Sequence, residues 1–175
     1  MRVCLIHAMR ASMPPIEAAF AADWPEADLQ HLLDEGLSID LARAGRLDAR
    51  MTDRLRTLAR YGVDCGAGAV LFTCSAFGPC IEAVAAELAP LPVRGPAAGM
   101  IAEAVAIGGP VGLLATFAPT LLTLPAEFPV STPVVPVLAA GALEARQRGE
   151  AARHETLAAE AAAQVDGGVI AIAQY

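Results

Sequence analysis

Short apolar runs alternate with helical stretches from one end of this chain to the other. A run that is apolar throughout is typical of a strand buried on both faces of a parallel sheet, and strands that alternate with helices pair in parallel through crossovers. The sequence therefore predicts an α/β fold with parallel sheets. The predicted strands are Val3–Ile6, Leu29–Leu33, Ala69–Thr73, Val111–Ala115, Val134–Leu138 and Val169–Ala173. The main predicted helices are Pro15–Ala22, Thr52–Tyr61, Pro79–Leu88, Pro96–Ile107 and Glu150–Val165.

The same pattern restarts after Gly109-Pro110. Residues 3–8 resemble residues 111–116, and residues 69–75 resemble residues 169–175. Self-similarity along a chain indicates repeated structural units. We therefore predict an N-terminal α/β lobe over residues 1–108 and a C-terminal α/β lobe over residues 109–175.

The charge balance and the residue types exclude several classes of protein. The 175 residues include 19 acidic and 12 basic side chains, which give a net charge of −7, and the arginines form no dense block. A nucleic-acid-binding protein needs a cationic surface, so nucleic acid is not an expected partner. Lysine is absent, which excludes a pyridoxal phosphate Schiff base and a Walker-type phosphate loop.

The cysteines, histidines and prolines indicate what to expect about the cellular compartment, metal binding and membrane insertion. Four cysteines without a secretory signal predict reduced thiols and a cytoplasmic location. The histidines are scattered, so no metal site is expected, and His31 and His154 are interpreted as structural or surface residues. Five prolines interrupt the most apolar region, Val111–Leu143, so no membrane span is predicted.

The end of the third predicted strand carries the strongest chemical signal. Small and polar residues, Cys74, Ser75 and Ala76, follow the strand, and a helix begins at Pro79. Ligands of open parallel sheets bind beyond the carboxyl ends of the strands. The loop N–H groups and the helix N-terminus favour a bound carboxylate, and we expect them to lower the pKa of Cys74. Cys74 is the candidate catalytic residue; an inert buried thiol is the alternative.

Further candidate residues lie at the ends of other strands. His7 ends the first strand, where an imidazolium would stabilise a Cys74 thiolate and donate a proton; a purely structural histidine is the alternative. Ser12, in the next loop, is either a ligand contact or a turn residue. Thr116 and Thr120 lie in the corresponding loop of the second lobe, where they either bind a polar group or cap a helix.

The segment Leu-Phe-Thr-Cys-Ser-Ala at residues 71–76, with Leu-Leu-Ala-Thr at residues 113–116, resembles the Asp/Glu/hydantoin racemase superfamily. The resemblance extends over nearly the whole chain. It implies two pseudo-symmetric flavodoxin-like lobes and a crevice between them. In that family a cysteine from each lobe flanks the alpha carbon of the substrate, one removing a proton and the other returning it, without cofactor or metal. Arylmalonate decarboxylases and maleate isomerases share the fold.

The resemblance assigns Cys74 as the cysteine of the first lobe. The carboxylate-binding positions that it implies are Thr73, Ser75, Ala76 and Thr116. The chain departs from the family at Gln174, which stands where the second cysteine is expected. An amide has no accessible pKa for proton abstraction, so Gln174 is a candidate substrate contact rather than a second base.

The resemblance also bears on assembly. Family members usually continue through another helix and strand beyond the position of Tyr175, so the second lobe is expected to be short at its C-terminus. Either a partner subunit that covers this lobe or a reduced stability would follow, and a homo-oligomer is the expected assembly.

Three functions stay open at this point. The first is a cofactor-independent racemase or isomerase of an amino acid or small carboxylate, with proton transfer at the alpha carbon through Cys74. The second is a single-cysteine decarboxylase or cis–trans isomerase of a small dicarboxylate. The third is a carboxylate-binding protein without turnover, which Gln174 suggests.

Overall fold

The computed structural model describes residues 1–165 and 168–173 and divides the chain into two compact units, Met1–Pro96 and Ala97–Tyr175. Each unit contains a parallel sheet, with four strands in the first unit and three in the second. The predicted α/β class with two parallel sheets is therefore confirmed.

The first unit is built around a central buried strand. Its strands pair in the order β2-β1-β3-β4, and β1 is buried from Val3 to His7 because it has a neighbour on each side. The strands are β1 (Arg2–His7), β2 (Asp28–Leu33), β3 (Ala69–Phe72) and β4 (Val93–Arg94). The helices are α1 (Met13–Asp23), α2 (Glu35–Ala44), α3 (Ala49–Asp64) and α4 (Gly78–Leu88).

Helix α2 lies where the sequence analysis predicted no helix, although both of its ends carry recognisable signals. The side chain of Asp34 accepts a hydrogen bond from the backbone N–H of Gly36 at 3.1 Å and caps the N-terminus. Gly45, with φ of 64°, supplies the left-handed residue that ends the helix. The helix buries Leu37 and Leu41, which lie one turn apart.

Asp34 also joins α2 to α3. Arg54 of α3 donates to both carboxylate oxygens of Asp34, from Nη2 to Oδ1 at 2.6 Å and from Nε to Oδ2 at 2.9 Å, and its Nη1 donates to Asp40 at 2.6 Å. A planar guanidinium suits this two-point contact with a carboxylate. Asp34 therefore caps the N-terminus of α2 and also holds α3 in place through Arg54.

The second unit repeats the order of the first three strands. Its strands pair as β6-β5-β7, which corresponds to β2-β1-β3. The strands are β5 (Val111–Ala115), β6 (Val134–Leu138) and β7 (Val169–Ile172). The helices are α5 (Ala98–Ile107), α6 (Thr120–Thr123), α7 (Ala142–Gln147) and α8 (Ala151–Ala162). The strand order agrees with the internal similarity seen in the sequence.

Helix α5 belongs to the second unit, whereas the sequence analysis placed the boundary near residues 108–110. Ala104 of this helix shares a buried core with Val111, Leu113 and Ala171 of the second sheet. The helix therefore packs on the strands that follow it. A boundary inferred from the Gly-Pro turn could not show this, because the turn marks where the helix ends and not what the helix covers.

Membrane helices are absent from the part of the chain that the structure describes: no helix there is long and apolar enough to cross a bilayer.

Close packing of α3 on β1 generates a first prediction. A Cβ atom added at Gly62 of α3 would lie 2.8 Å from the Cβ of Cys4 in β1, which no side chain tolerates without movement. We expect Gly62→Ala to lower the free energy of unfolding by about 1–3 kcal/mol, measured by urea denaturation followed by circular dichroism.

The matched control is Gly99→Ala in α5, where an added Cβ meets nothing within 4 Å. There the higher helix propensity of alanine should raise stability by up to about 1 kcal/mol. Equal effects of the two substitutions would contradict the close approach of α3 to β1.

Candidate active site

The parallel pairing of β1 with β3 brings two predicted site residues to one edge of the first sheet. His7 is the last residue of β1, and Thr73 directly follows β3. The register pairs Ile6 with Phe72, and the N–H of Thr73 donates to the carbonyl of Ile6 at 3.0 Å. His7 and Thr73 are thus neighbours at the carboxyl edge, where open parallel sheets bind ligands.

The side chains of His7, Ser12 and Thr73 form one hydrogen-bonded cluster. The Nδ1 atom of His7 lies 2.9 Å from Oγ1 of Thr73 and 3.1 Å from Oγ of Ser12. The two hydroxyl oxygens are 3.0 Å apart. Ser12 also donates to the carbonyl of Met9 at 2.7 Å, which fixes its position just before α1. Three residues selected separately from the sequence therefore meet in space.

The sequence analysis missed one member of this cluster, His31. The register of β1 with β2 pairs Leu5 with His31, and Nδ1 of His31 lies 3.1 Å from Nε2 of His7. The only available signal was that both histidines occupy predicted strands, and the register between those strands cannot be read from one sequence. The interpretation of His31 as a structural or surface residue did not anticipate its contact with His7.

The two histidine rings lie end to end. Their planes differ by 8° and their centroids are 5.2 Å apart. That separation is close to the distance between the two nitrogens plus one ring radius on each side. The rings therefore share a plane and are joined by a hydrogen bond, rather than being stacked face to face.

A carboxylate lies at the outer end of the cluster. Oε1 of Glu17 in α1 is 3.7 Å from Nε2 of His31. The side chain of Glu17 is 51% exposed and that of His31 is 22% exposed, whereas His7 is fully buried. The polar groups thus run from solvent into the protein.

Burial keeps His7 neutral. Desolvation and the neighbouring His31 lower the pKa of His7 to about 4. The expectation that an imidazolium at this position would stabilise a thiolate and donate a proton is therefore wrong at neutral pH. His7 instead acts as a neutral hydrogen-bonding group toward Thr73 and Ser12.

Burial also keeps Cys74 protonated. The residue is only 6% exposed, and desolvation raises the pKa of its thiol to about 11. A hydrogen bond from the backbone of Ala76 acts in the opposite direction and is outweighed. The expected lowering of the Cys74 pKa is therefore wrong, because the helix N-terminus, separated from Cys74 by the 3-10 turn Ser75–Phe77, does not compensate for lost hydration.

The remaining candidates occupy different places. Ser75 and Ala76 are buried in the 3-10 turn that follows Cys74. In the second unit, Thr116 follows β5, and Thr120 is the buried first residue of α6. Gln174 lies outside the described residues.

None of the four cysteines forms a disulfide. Cys4 and Cys80 are buried and Cys65 is half-buried. Burial also raises the pKa of Cys4 to about 11. Within the described ranges, no group of three or more His, Cys, Asp or Glu side chains is arranged to hold a metal ion.

The fold and the site define a two-unit parallel α/β protein with a buried thiol at the edge of its first sheet. No protein-family model matches the chain, and no curated protein matches it. Membership of the racemase superfamily therefore stays a prediction.

Among solved structures, a maleate cis-trans isomerase of Nocardia farcinica is similar in fold, with a TM-score of 0.47 and 18% identity. That structure is a cysteine-to-serine mutant with a covalently bound succinylcysteine intermediate. The match covers 77% of this chain and 62% of the isomerase, so the chain spans less than two thirds of that protein.

The neutral state of His7 predicts a specific loss of stability in acid. A histidine whose folded pKa lies below its unfolded value stabilises the protein fully above pH 6.5, and that stability is lost as the pH falls through about 4. The shift corresponds to about 3 kcal/mol. We expect the unfolding free energy to fall less steeply over this range in His7→Gln than in the wild type.

The measurement is urea unfolding at a series of pH values, followed by the fluorescence of Trp24, the single tryptophan, which lies in the first unit. The carboxylates titrate in both proteins, so the difference between the two slopes of unfolding free energy against pH reports the contribution of His7. Identical slopes would show that His7 is not held neutral by burial.

Proposed function

We propose that this protein is a cofactor-independent isomerase or racemase that moves a proton at the alpha carbon of a small carboxylate, with Cys74 as the residue that carries the proton. The observation that supports this most is the buried, protonated thiol of Cys74, which directly follows Thr73 at the carboxyl edge of β3. A protonated thiol is ready to donate, and the hydroxyl of the preceding residue is suited to an anionic oxygen.

The chemistry requires an anion to be stabilised. Removing a group from the carbon beside a carboxylate leaves an electron pair that spreads onto the carboxylate oxygens. Buried N–H and O–H donors stabilise such a charge because they are fixed in place before the reaction begins. The buried turn after Cys74 and the Thr73 hydroxyl are the donors that we assign to this role.

The protonation state of Cys74 favours a second candidate function, the decarboxylation of a small dicarboxylate. In that reaction the C–COO⁻ bond breaks, carbon dioxide leaves, and the electron pair stays on the remaining carboxylate as an enediolate. The S–H bond of Cys74 then breaks as its proton passes to the alpha carbon, and solvent reprotonates the thiolate. Racemisation requires the additional step of forming a thiolate in the complex before the first proton is taken.

Deuterium exchange tests the proposal and separates its two forms. We expect at least one acid among aspartate, glutamate and a substituted malonate to gain deuterium at its alpha carbon in heavy water. Carbon dioxide release indicates decarboxylation, and chiral chromatography detects racemisation. Because general acid catalysis contributes about 100- to 10,000-fold, Cys74→Ser should lower the rate by that factor.

The matched control is Cys65→Ser, which changes a half-buried thiol of the same unit outside the hydrogen-bonded cluster and should leave the rate unchanged. Equal rates in Cys74→Ser and the wild type would remove Cys74 from the mechanism. Thermal stabilisation by these acids without any exchange would indicate a carboxylate-binding protein without turnover.

A further inference from the structure

The two edges of the second sheet differ in their protection against a further strand. At the β6 edge, the N–H of Ala139 donates to the carbonyl of Ala115 on the β5 side. Successive residues of a strand direct their N–H groups to opposite sides, so the nitrogen of Pro136, three residues earlier, points outward and carries no hydrogen. The opposite edge strand, β7, contains neither proline nor a charged residue. Its sequence therefore does not block the addition of a strand.

The backbone of β7 presents unpaired groups along this edge. Among the strands that the structure describes, β7 pairs with β5 alone. The N–H of Val169 donates to the carbonyl of Pro110 on the β5 side at 3.1 Å, so the N–H groups of Ile170 and Ile172 alternate as outward and outward again, with Ala171 turned to β5 between them. The side chains of both isoleucines are also exposed. The outer side of β7 is thus an open edge with apolar side chains.

The first sheet shows how the corresponding edge is filled. The repeat in the sequence matches β3 with β7, and Val70 with Ile170. The N–H of Val70 donates to the carbonyl of Pro92 at 2.9 Å, and the parallel strand β4 places Val93 beside Val70. The next residue of β4 is Arg94. A strand added to β7 in the same way has an apolar residue beside Ile170, followed by a basic residue.

A groove beside the open edge supplies an acidic group for that basic residue. The groove has a volume of about 240 Å³ and lies between β7 and α5. Ala171 faces α5, since it shares a buried core with Ala104. Residues in register in a parallel sheet point to the same face, so the residue added beside Ala171 points toward α5 as well. Glu103 of α5 is exposed in the lining of the groove, where its charge is complementary to a basic side chain.

We propose that the open edge of β7 and the adjacent groove bind an extended peptide segment of a partner protein, in which an apolar residue is followed by a basic residue. The segment joins the sheet in parallel, pairs with the backbone of Ile170 and Ile172, and directs its basic side chain to Glu103. In this mode of recognition the backbone hydrogen bonds provide affinity and the side-chain positions provide specificity. The inference concerns the second unit and does not depend on the proposed function.

A second copy of the chain is less suited to this edge than a basic peptide. Two β7 strands related by a twofold axis pair in antiparallel fashion, which places both Glu103 carboxylates on the same face of the joined sheets. Each copy also carries a net charge of −7, so the two copies repel each other. A peptide with a basic residue meets the opposite charge instead.

Amide hydrogen exchange of the whole protein tests the proposal. The probe is a synthetic peptide with the sequence of the β4 segment, Leu-Pro-Val-Arg-Gly at residues 91–95. Without the peptide, we expect fast exchange at Ile170 and Ile172 and slow exchange at Ala171, whose N–H is turned to β5. At a peptide concentration of about ten times the dissociation constant, exchange at both isoleucines should slow about tenfold.

Exchanging the charges tests the role of Glu103. Glu103→Gln should weaken peptide binding about two- to fivefold, as expected for an exposed ion pair. The matched control is Glu155→Gln, which changes an exposed carboxylate on α8 of the same unit and should leave binding unaltered. In Glu103→Arg the preference should reverse, so that Leu-Pro-Val-Glu-Gly binds more tightly than the arginine peptide.

Three results would overturn the proposal. The first is unchanged exchange at Ile170 and Ile172 in the presence of millimolar peptide. The second is equal binding of the arginine and glutamate peptides by the wild type. The third is slow exchange at both isoleucines without peptide in a protein that sediments as a dimer, because a second copy of the chain would then occupy the open edge.

Discussion

Loss of water decides the protonation states at the carboxyl edge of the first sheet. A thiol and an imidazole respond to burial in opposite directions, because in each case the charged form is disfavoured. Cys74 therefore stays protonated and His7 stays unprotonated near neutral pH. Both residues are therefore neutral, and the proposed chemistry depends on the protonated thiol of Cys74 as the proton donor.

The strand pattern of the sequence was enough to predict the architecture, and β5 and β6 have the predicted bounds. A run of apolar residues marks each of these strands, although β5 is buried throughout whereas β6 exposes Val135 and Leu138. The short helices α2 and α7 were missed, although the capping residue Asp34 and the terminating Gly45 were visible signals for α2. The weak apolar periodicity of a short helix did not outweigh the surrounding polar residues.

The sequence was enough to select residues of the candidate site, but it was not enough to predict their protonation states. Cys74, Thr73 and His7 could be selected because each lies where a predicted strand ends. The direction of both pKa shifts depends on how much water reaches each group, which the order of residues does not reveal. The contact between His7 and His31 depends on the pairing of β1 with β2, and that register appears only in the folded chain. The site therefore differs from its sequence-based description mainly in where the protons are.

The ionisation of Cys74 tests this account most directly. The difference in ultraviolet thiolate absorbance between the wild type and Cys74→Ser isolates this thiol from Cys4, which titrates in the same range. The account predicts that the difference develops around pH 11, well above the value of 9.0 for an unperturbed thiol. A midpoint below that unperturbed value would show a thiolate held ionised at the edge of the sheet, and it would contradict the role of Cys74 as a neutral proton donor.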